Sequence, residues 1–223
     1  MPEKVEVEVD QYGSVTALAY DASRRGRAQV TLLLGHGAGA GQTSEFMVSF
    51  AEGLAGRGID VVTFNFLYTQ EGRRAPDPGG KLEACYRAAI ATAGKRKKEN
   101  RLAIGGKSLG GRIASQVAAG GVENLSGLVF LGYPLHPPGK PDLLRSGHLA
   151  STRAPMMFVQ GSRDPFGTPD ELRPIIKKFD PPATIYTIDG GDHSFKVPKR
   201  SGMSREEIHS AAQDEIARWL RDI

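Results

Sequence analysis

A lone cysteine, Cys85, stands among 223 residues, which excludes an internal disulfide and any metal site built from several cysteines. It lies on a predicted helix, Glu83-Ala84-Cys85-Tyr86-Arg87, as half-buried filler rather than as a nucleophile. Long apolar runs are missing too. No stretch approaches the roughly 20 residues that a membrane-spanning helix needs, so no membrane partner is expected. The segment Met1 to Asp10 alternates acidic and apolar residues and lacks the apolar core of a signal peptide, which points to a soluble, cytoplasmic protein. Basic residues outnumber acidic ones only slightly, 29 against 25. Their densest run, Lys95-Arg96-Lys97-Lys98, has no interleaved aromatic and falls at a helix end, where cations meet the helix dipole favourably. No nucleic-acid partner is expected, a salt-sensitive polyanion site being the lesser alternative. No metal and no cofactor is expected either.

What is present suits a full-sized core. Hydrophobic residues make up 39% and charged ones 24% of the chain, a balance that favours folding, and its length fits one domain over residues 1–223. We find no internal repeat and no linker. Two alternating runs, 5–9 and 15–20, joined by a turn around Gly13, read as an antiparallel pair with one wet face. From Gln29 onward the strands become unbroken apolar runs at 30–34, 60–64, 102–105, 128–131, 156–160 and 184–188. Such strands are buried on both faces, which implies a mostly parallel, twisted sheet with helices on both sides. Helical spacing covers 45–57, 81–98, 109–119, 169–179 and 205–221. In the last of these, Ile208, Ala212, Ile216, Trp219 and Leu220 form one apolar stripe. Residues 69–80 read as an exposed loop, and the proline-containing stretch 133–154 is too short for a cap domain.

Gly106-Lys107-Ser108-Leu109-Gly110 spells G-x-S-x-G, common as a pattern but set here between a short apolar strand and a helix. In that setting a serine is pushed out of a sharp turn, as a nucleophile requires, with small neighbours because backbone comes close. Ser108 is the candidate nucleophile. The strand ending at Leu34 enters Gly35-His36-Gly37-Ala38-Gly39-Ala40-Gly41, a loop whose Ala38 amide is placed to join that of Leu109 as an oxyanion hole. The competing readings are a phosphate loop and a plain turn. The P-loop Lys-Ser/Thr is absent, however, and G-x-G-x-A-G is only a partial dinucleotide fingerprint. Asp164, just beyond the apolar strand at Met157, is a candidate for orienting a histidine, although aspartate in such turns is common for conformational reasons alone. His193 follows the final strand. Among the remaining histidines, His209 reads as a surface residue, His148 has no motif around it, and His36 is expected to hold loop shape. Asp192 is the reserve acid. Ser108, Asp164 and His193 occur in the chain order Ser…Asp…His, the order of α/β-hydrolases.

From about Gln29 onward the chain resembles an α/β-hydrolase of the small, capless, dienelactone-hydrolase-like kind. It is particularly similar to the family containing the testis-expressed α/β-hydrolase-like protein and the hydrolase-like domain of a non-specific-lethal chromatin complex subunit. The phrases carrying the likeness are Gly35-His36-Gly37-Ala38-Gly39, Gly106 to Arg112, Phe130-Leu131-Gly132-Tyr133-Pro134-Leu135-His136-Pro137-Pro138-Gly139-Lys140 and Gly191-Asp192-His193-Ser194-Phe195. Dienelactone hydrolases proper use cysteine where this chain has Ser108, which argues against the dienelactone reaction itself. The resemblance implies an α/β-hydrolase fold with no cap.

The expected chemistry is acyl transfer through Ser108, His193 and Asp164, most simply hydrolysis of small carboxylic esters or thioesters. Gly37, Gly39, Lys107, Tyr133, Pro134 and His136 are expected to border the substrate. The alternatives are a catalytically idle scaffold, as the chromatin-linked relative suggests, and a small peptidase. A monomer or small homo-oligomer is expected.

Overall fold

Eight strands form one sheet in the order β1-β2-β4-β3-β5-β6-β7-β8. They are β1 (Glu3–Glu8), β2 (Ser14–Tyr20), β3 (Val30–Gly35), β4 (Asp60–Phe64), β5 (Arg101–Lys107), β6 (Leu125–Leu131), β7 (Met156–Gly161) and β8 (Ala183–Ile188). The structure is a computed structural model and describes residues 1–23 and 26–223. β2 pairs antiparallel with both β1 and β4, while β3 to β8 run parallel to one another. Parallel pairing follows from the apolar runs. Leu32 and Leu34 face one layer of helices and Leu33 the other, all three fully buried. Each such side chain contributes about 1.5–3 kcal/mol on burial.

The helices divide between the two faces. α1 (Glu45–Gly56) and α6 (Arg205–Asp222) cover one side through Phe50, Leu54, Ile216 and Leu220. The other side is covered by α3 (Gly79–Arg96), α4 (Leu109–Ala119) and α5 (Pro169–Ile176), with a one-turn α2 (Leu67–Gln70) ahead of them. Among the described residues no helix is long and apolar enough to cross a membrane. Because β3, β5, β7 and β8 are parallel and in register, with Gly35 opposite Gly106 and Gly161 opposite Ile188, their C-terminal loops emerge at one edge of the sheet. That edge collects the candidate site.

Three sequence expectations need correction. Residues 69–80 are largely exposed, as expected, but they are not loop throughout, since their two ends belong to α2 and α3. Buried Asp77 accepts from the Tyr68 amide at 2.9 Å and from Arg73 at 2.6 Å, which ties the segment down. Cys85 is fully buried rather than half-buried, and burial pushes its thiol up to about 12. His209 is not on the surface. It falls on the apolar side of α6, 3% exposed between Phe46 and Phe50, with Nδ1 2.9 Å from Ser49 Oγ.

Burial holds His209 and His36 below the ordinary imidazole pKa, so both are neutral in the fold and titrate near about 6.5 once unfolded. Below that pH the unfolded chain binds more protons. The stability these two histidines contribute is therefore complete above about pH 6.5 and declines as pH falls toward the folded-state values, by up to about 1.4 kcal/mol per pH unit for each histidine. A urea midpoint that does not move between pH 7 and pH 5.5 would contradict this.

Candidate active site

Ser108 sits between β5 and α4 with φ 49° and ψ −110°, a left-handed conformation unusual for a residue with a side chain. The tight turn depends on its glycines. Gly106 has φ 155°, and a Cβ there would lie 2.3 Å from the Gly35 carbonyl oxygen. A Cβ on Gly110 would come within 2.1 Å of the same atom. With hydrogens in both places, α4 starts hard against the end of β3. Ser108 is the N-cap of α4, yet its hydroxyl makes no capping bond and is turned instead toward the sheet edge.

There Ser108 Oγ lies 2.9 Å from His193 Nε2, and His193 Nδ1 lies 2.8 Å from Asp164 Oδ2. Asp164 is 2% exposed and accepts two further bonds, from Gln160 Nε2 at 2.9 Å and from the Phe166 amide at 2.8 Å. A carboxylate facing Nδ1 puts the imidazole proton on that nitrogen, which leaves the Nε2 lone pair for the serine. The Phe166 ring packs on the imidazole, centroids 4.3 Å apart. The loop carrying His193 is shaped by Asp192, whose Oδ1 accepts from the amides of Ser194 at 2.7 Å and Lys196 at 3.0 Å. Asp192 therefore turns the chain, and the acid at the imidazole is Asp164.

The loop after β3 crosses the elbow. A Cβ on Gly37 would be 3.6 Å from Ser108 Cβ. His36 fixes the start of this loop: Nδ1 donates to the Gly37 carbonyl at 2.8 Å and Nε2 accepts from the Phe66 amide at 3.1 Å. Leu109 opens α4, and first-turn amides of a helix have no acceptor within it. Gly37, Ala38, Ala40, Ser44, Phe46, Met47, Lys107, Ser108 and His193 line a cavity of about 350 Å³, with Ser194, Lys196 and Arg205 at its border.

A family model described as an alpha/beta hydrolase domain matches residues 28–221. The chain belongs to the α/β-hydrolase family. Its fold is shared by a lidless α/β serine hydrolase from Xanthomonas campestris, at 18% identity and TM-score 0.75 over 98% of this chain and 95% of that one. A dienelactone hydrolase from Anabaena variabilis is similar at 19% identity and TM-score 0.75, covering 99% and 98%. The esterase domain of a Rhodothermus marinus protein is 13% identical with TM-score 0.74, covering 100% and 98%.

In this α/β-hydrolase not every residue expected at the substrate reaches the cavity. Gly37 and Lys107 line it, whereas Gly39, though exposed, lies just outside. Tyr133, Pro134 and His136 are buried away from it. The cause is local: Gln160 holds both the amide and the carbonyl of Tyr133, and the Tyr133 hydroxyl donates to the Arg145 carbonyl at 2.9 Å. His136 is drawn aside to Glu171 at 3.1 Å.

Gln160 is the residue that sequence reasoning missed. Fully buried at the end of β7, it accepts from the Tyr133 amide at 2.8 Å and donates to Asp164 and, at 2.6 Å, to the Gly167 carbonyl. Its one visible signal was a lone amide closing an otherwise apolar strand.

Proposed function

We propose that the protein is a serine hydrolase that transfers an acyl group to Ser108 and then to water, acting on small carboxylic esters or thioesters. The observation that carries this reading is the unbroken chain Ser108–His193–Asp164, at 2.9 Å and 2.8 Å, on a strained elbow facing a cavity. In the first half-reaction Ser108 Oγ attacks the acyl carbon as its proton passes to His193 Nε2. The amides of Leu109 and Ala38 receive the developing oxyanion, and losing one such donor typically costs about a hundred- to a thousand-fold. Collapse of the tetrahedral species breaks the bond to the leaving group, which departs with the proton from His193. Water then repeats the sequence on the acyl-enzyme, releasing the acid and restoring the Ser108 hydroxyl. Asp164 orients the imidazole and balances its transient charge.

Esters are favoured over peptides because the cavity is small and its rim at Ala38, Ser194 and Lys196 is exposed, which provides few subsites for a long chain. One similar structure is of an esterase domain, which agrees with this choice. We extend the reading to residues 1–223 as one domain, since β1 and β2 continue the same sheet. The narrower kinship with the testis-expressed and chromatin-linked family belongs to the same proposal.

A fluorophosphonate probe followed by mass spectrometry tests the assignment. The expected result is one adduct, on the peptide containing Ser108. A protein that stays unlabelled, or that is labelled on another serine, removes the nucleophile and leaves the fold to the scaffold reading.

A further inference from the structure

The cavity beside Ser108 is bordered by Lys107, Lys196 and Arg205, and among the described residues no aspartate or glutamate lines it. Arg205 has its charge matched by Glu45 at 2.8 Å. Lys196 stands exposed at the rim. Lys107 is the informative one. Its Nζ donates to the His193 carbonyl at 2.6 Å and lies 5.6 Å and 5.7 Å from the ring centres of Phe46 and Phe195. That hydrogen-bond partner is neutral, and an ammonium has three donors to place. Burial pushes the Lys107 pKa down to about 8, a cost that Asp164 and Asp192 reduce without cancelling. A cation held this way, one residue from the proposed nucleophile, favours a negative charge on whatever fills the cavity. The positive end of the α1 dipole adds to this, since Ser44, its N-cap, lines the same space with no capping bond. Phe46 and Met47 supply an apolar wall.

We infer that the site selects acyl substrates ending in an anionic group, a carboxylate set against Lys107 while the aliphatic segment rests on Phe46 and Met47. This names the substrate class of the proposed acyl-transfer site and rests on that reading.

The test compares two esters of equal acyl length, 4-nitrophenyl hemiglutarate and 4-nitrophenyl pentanoate, at low ionic strength. Hydrogen bonds to charged groups are worth about ten- to a hundred-fold, so kcat/KM is expected to favour the anionic ester by about ten-fold or more. Lys107→Met should bring that ratio close to one. Any damage to the neighbouring triad lowers both rates and cancels in the ratio. The second arm is an NMR titration of Ser108→Ala protein with methyl hemiglutarate and with methyl pentanoate, which needs no turnover. Tighter binding of the anion, by the same order, supports the inference even if neither ester is hydrolysed and the acyl-transfer reading fails. Ser108-dependent turnover with equal kcat/KM for the two esters, or equal binding of the two methyl esters, overturns the inference. The first of these outcomes leaves the acyl-transfer reading standing. The wild-type rate comparison and the Ser108→Ala binding comparison both hold whether or not the lysine variant folds.

Discussion

Ser108→Ala is expected to lower kcat for a short-chain aryl ester by about five to six orders of magnitude, as loss of the nucleophile does in serine proteases. His193→Ala should do nearly the same. The double variant should be hardly worse than either single one, because the proposed nucleophile is weak without its base and the base has no task without its nucleophile. The geometry makes this coupling tight: Nε2 lies 2.9 Å from Oγ, with no capping bond competing for the hydroxyl. Neither change should unfold the protein. Ser108 and His193 are both partly exposed at the sheet edge, and the turn that holds Ser108 depends on Gly106 and Gly110. Steady-state kinetics of the three variants, with circular dichroism to verify folding, checks the expectation. A Ser108→Ala protein that keeps a tenth of the wild-type rate would show that the chemistry lies elsewhere.

Much of this was legible in the chain, for reasons that can be traced residue by residue. β4 and α4 match their predicted limits, Asp60–Phe64 and Leu109–Ala119, because an apolar run and a helical stripe each end abruptly there. β5 runs two residues past its apolar stretch, since Gly106 and Lys107 still pair with Phe130 and Leu131 although neither looks like a strand residue. α3 begins at Gly79 rather than Lys81, with Pro78 as its N-cap, where a glycine pair reads as a break. The meeting of Ser108, Asp164 and His193 was readable from topology alone. Parallel strands send their C-terminal loops to one edge, so residues 85 and 29 positions apart from His193 along the chain come together.

What could not be read depends on rotamers and on where a loop turns after its strand. Tyr133 follows β6 as a residue at a pocket edge would, but its backbone is captured by Gln160 and its ring sinks into the core. The role of Gln160 and the burial of His209 have the same character. Both are polar residues in apolar surroundings, and only the partners across the fold show what satisfies them.

Asp164→Asn is expected to cost up to about ten thousand-fold in kcat with the fold intact. The size follows from the donors around the carboxylate. Oδ2 accepts from His193 Nδ1 and Gln160 Nε2, while Oδ1 accepts from the Phe166 amide at 2.8 Å. An asparagine must turn its NH2 group toward one of these positions. Facing Phe166 would set donor against donor and leave a backbone N–H unsatisfied in a partly buried site, at a cost of about 1–3 kcal/mol. Facing His193 also confronts Gln160, but that amide keeps its bonds to the carbonyls of Tyr133 and Gly167. The imidazole can answer by moving its own proton. We therefore expect the second orientation, with Nδ1 as acceptor and the proton on Nε2 pointing at Ser108, where it can no longer take the hydroxyl proton. Kinetics of the purified variant, alongside its urea midpoint, separates this tautomer effect from unfolding. A folded Asp164→Asn protein within about ten-fold of wild type would show that Asp164 does not set the state of His193.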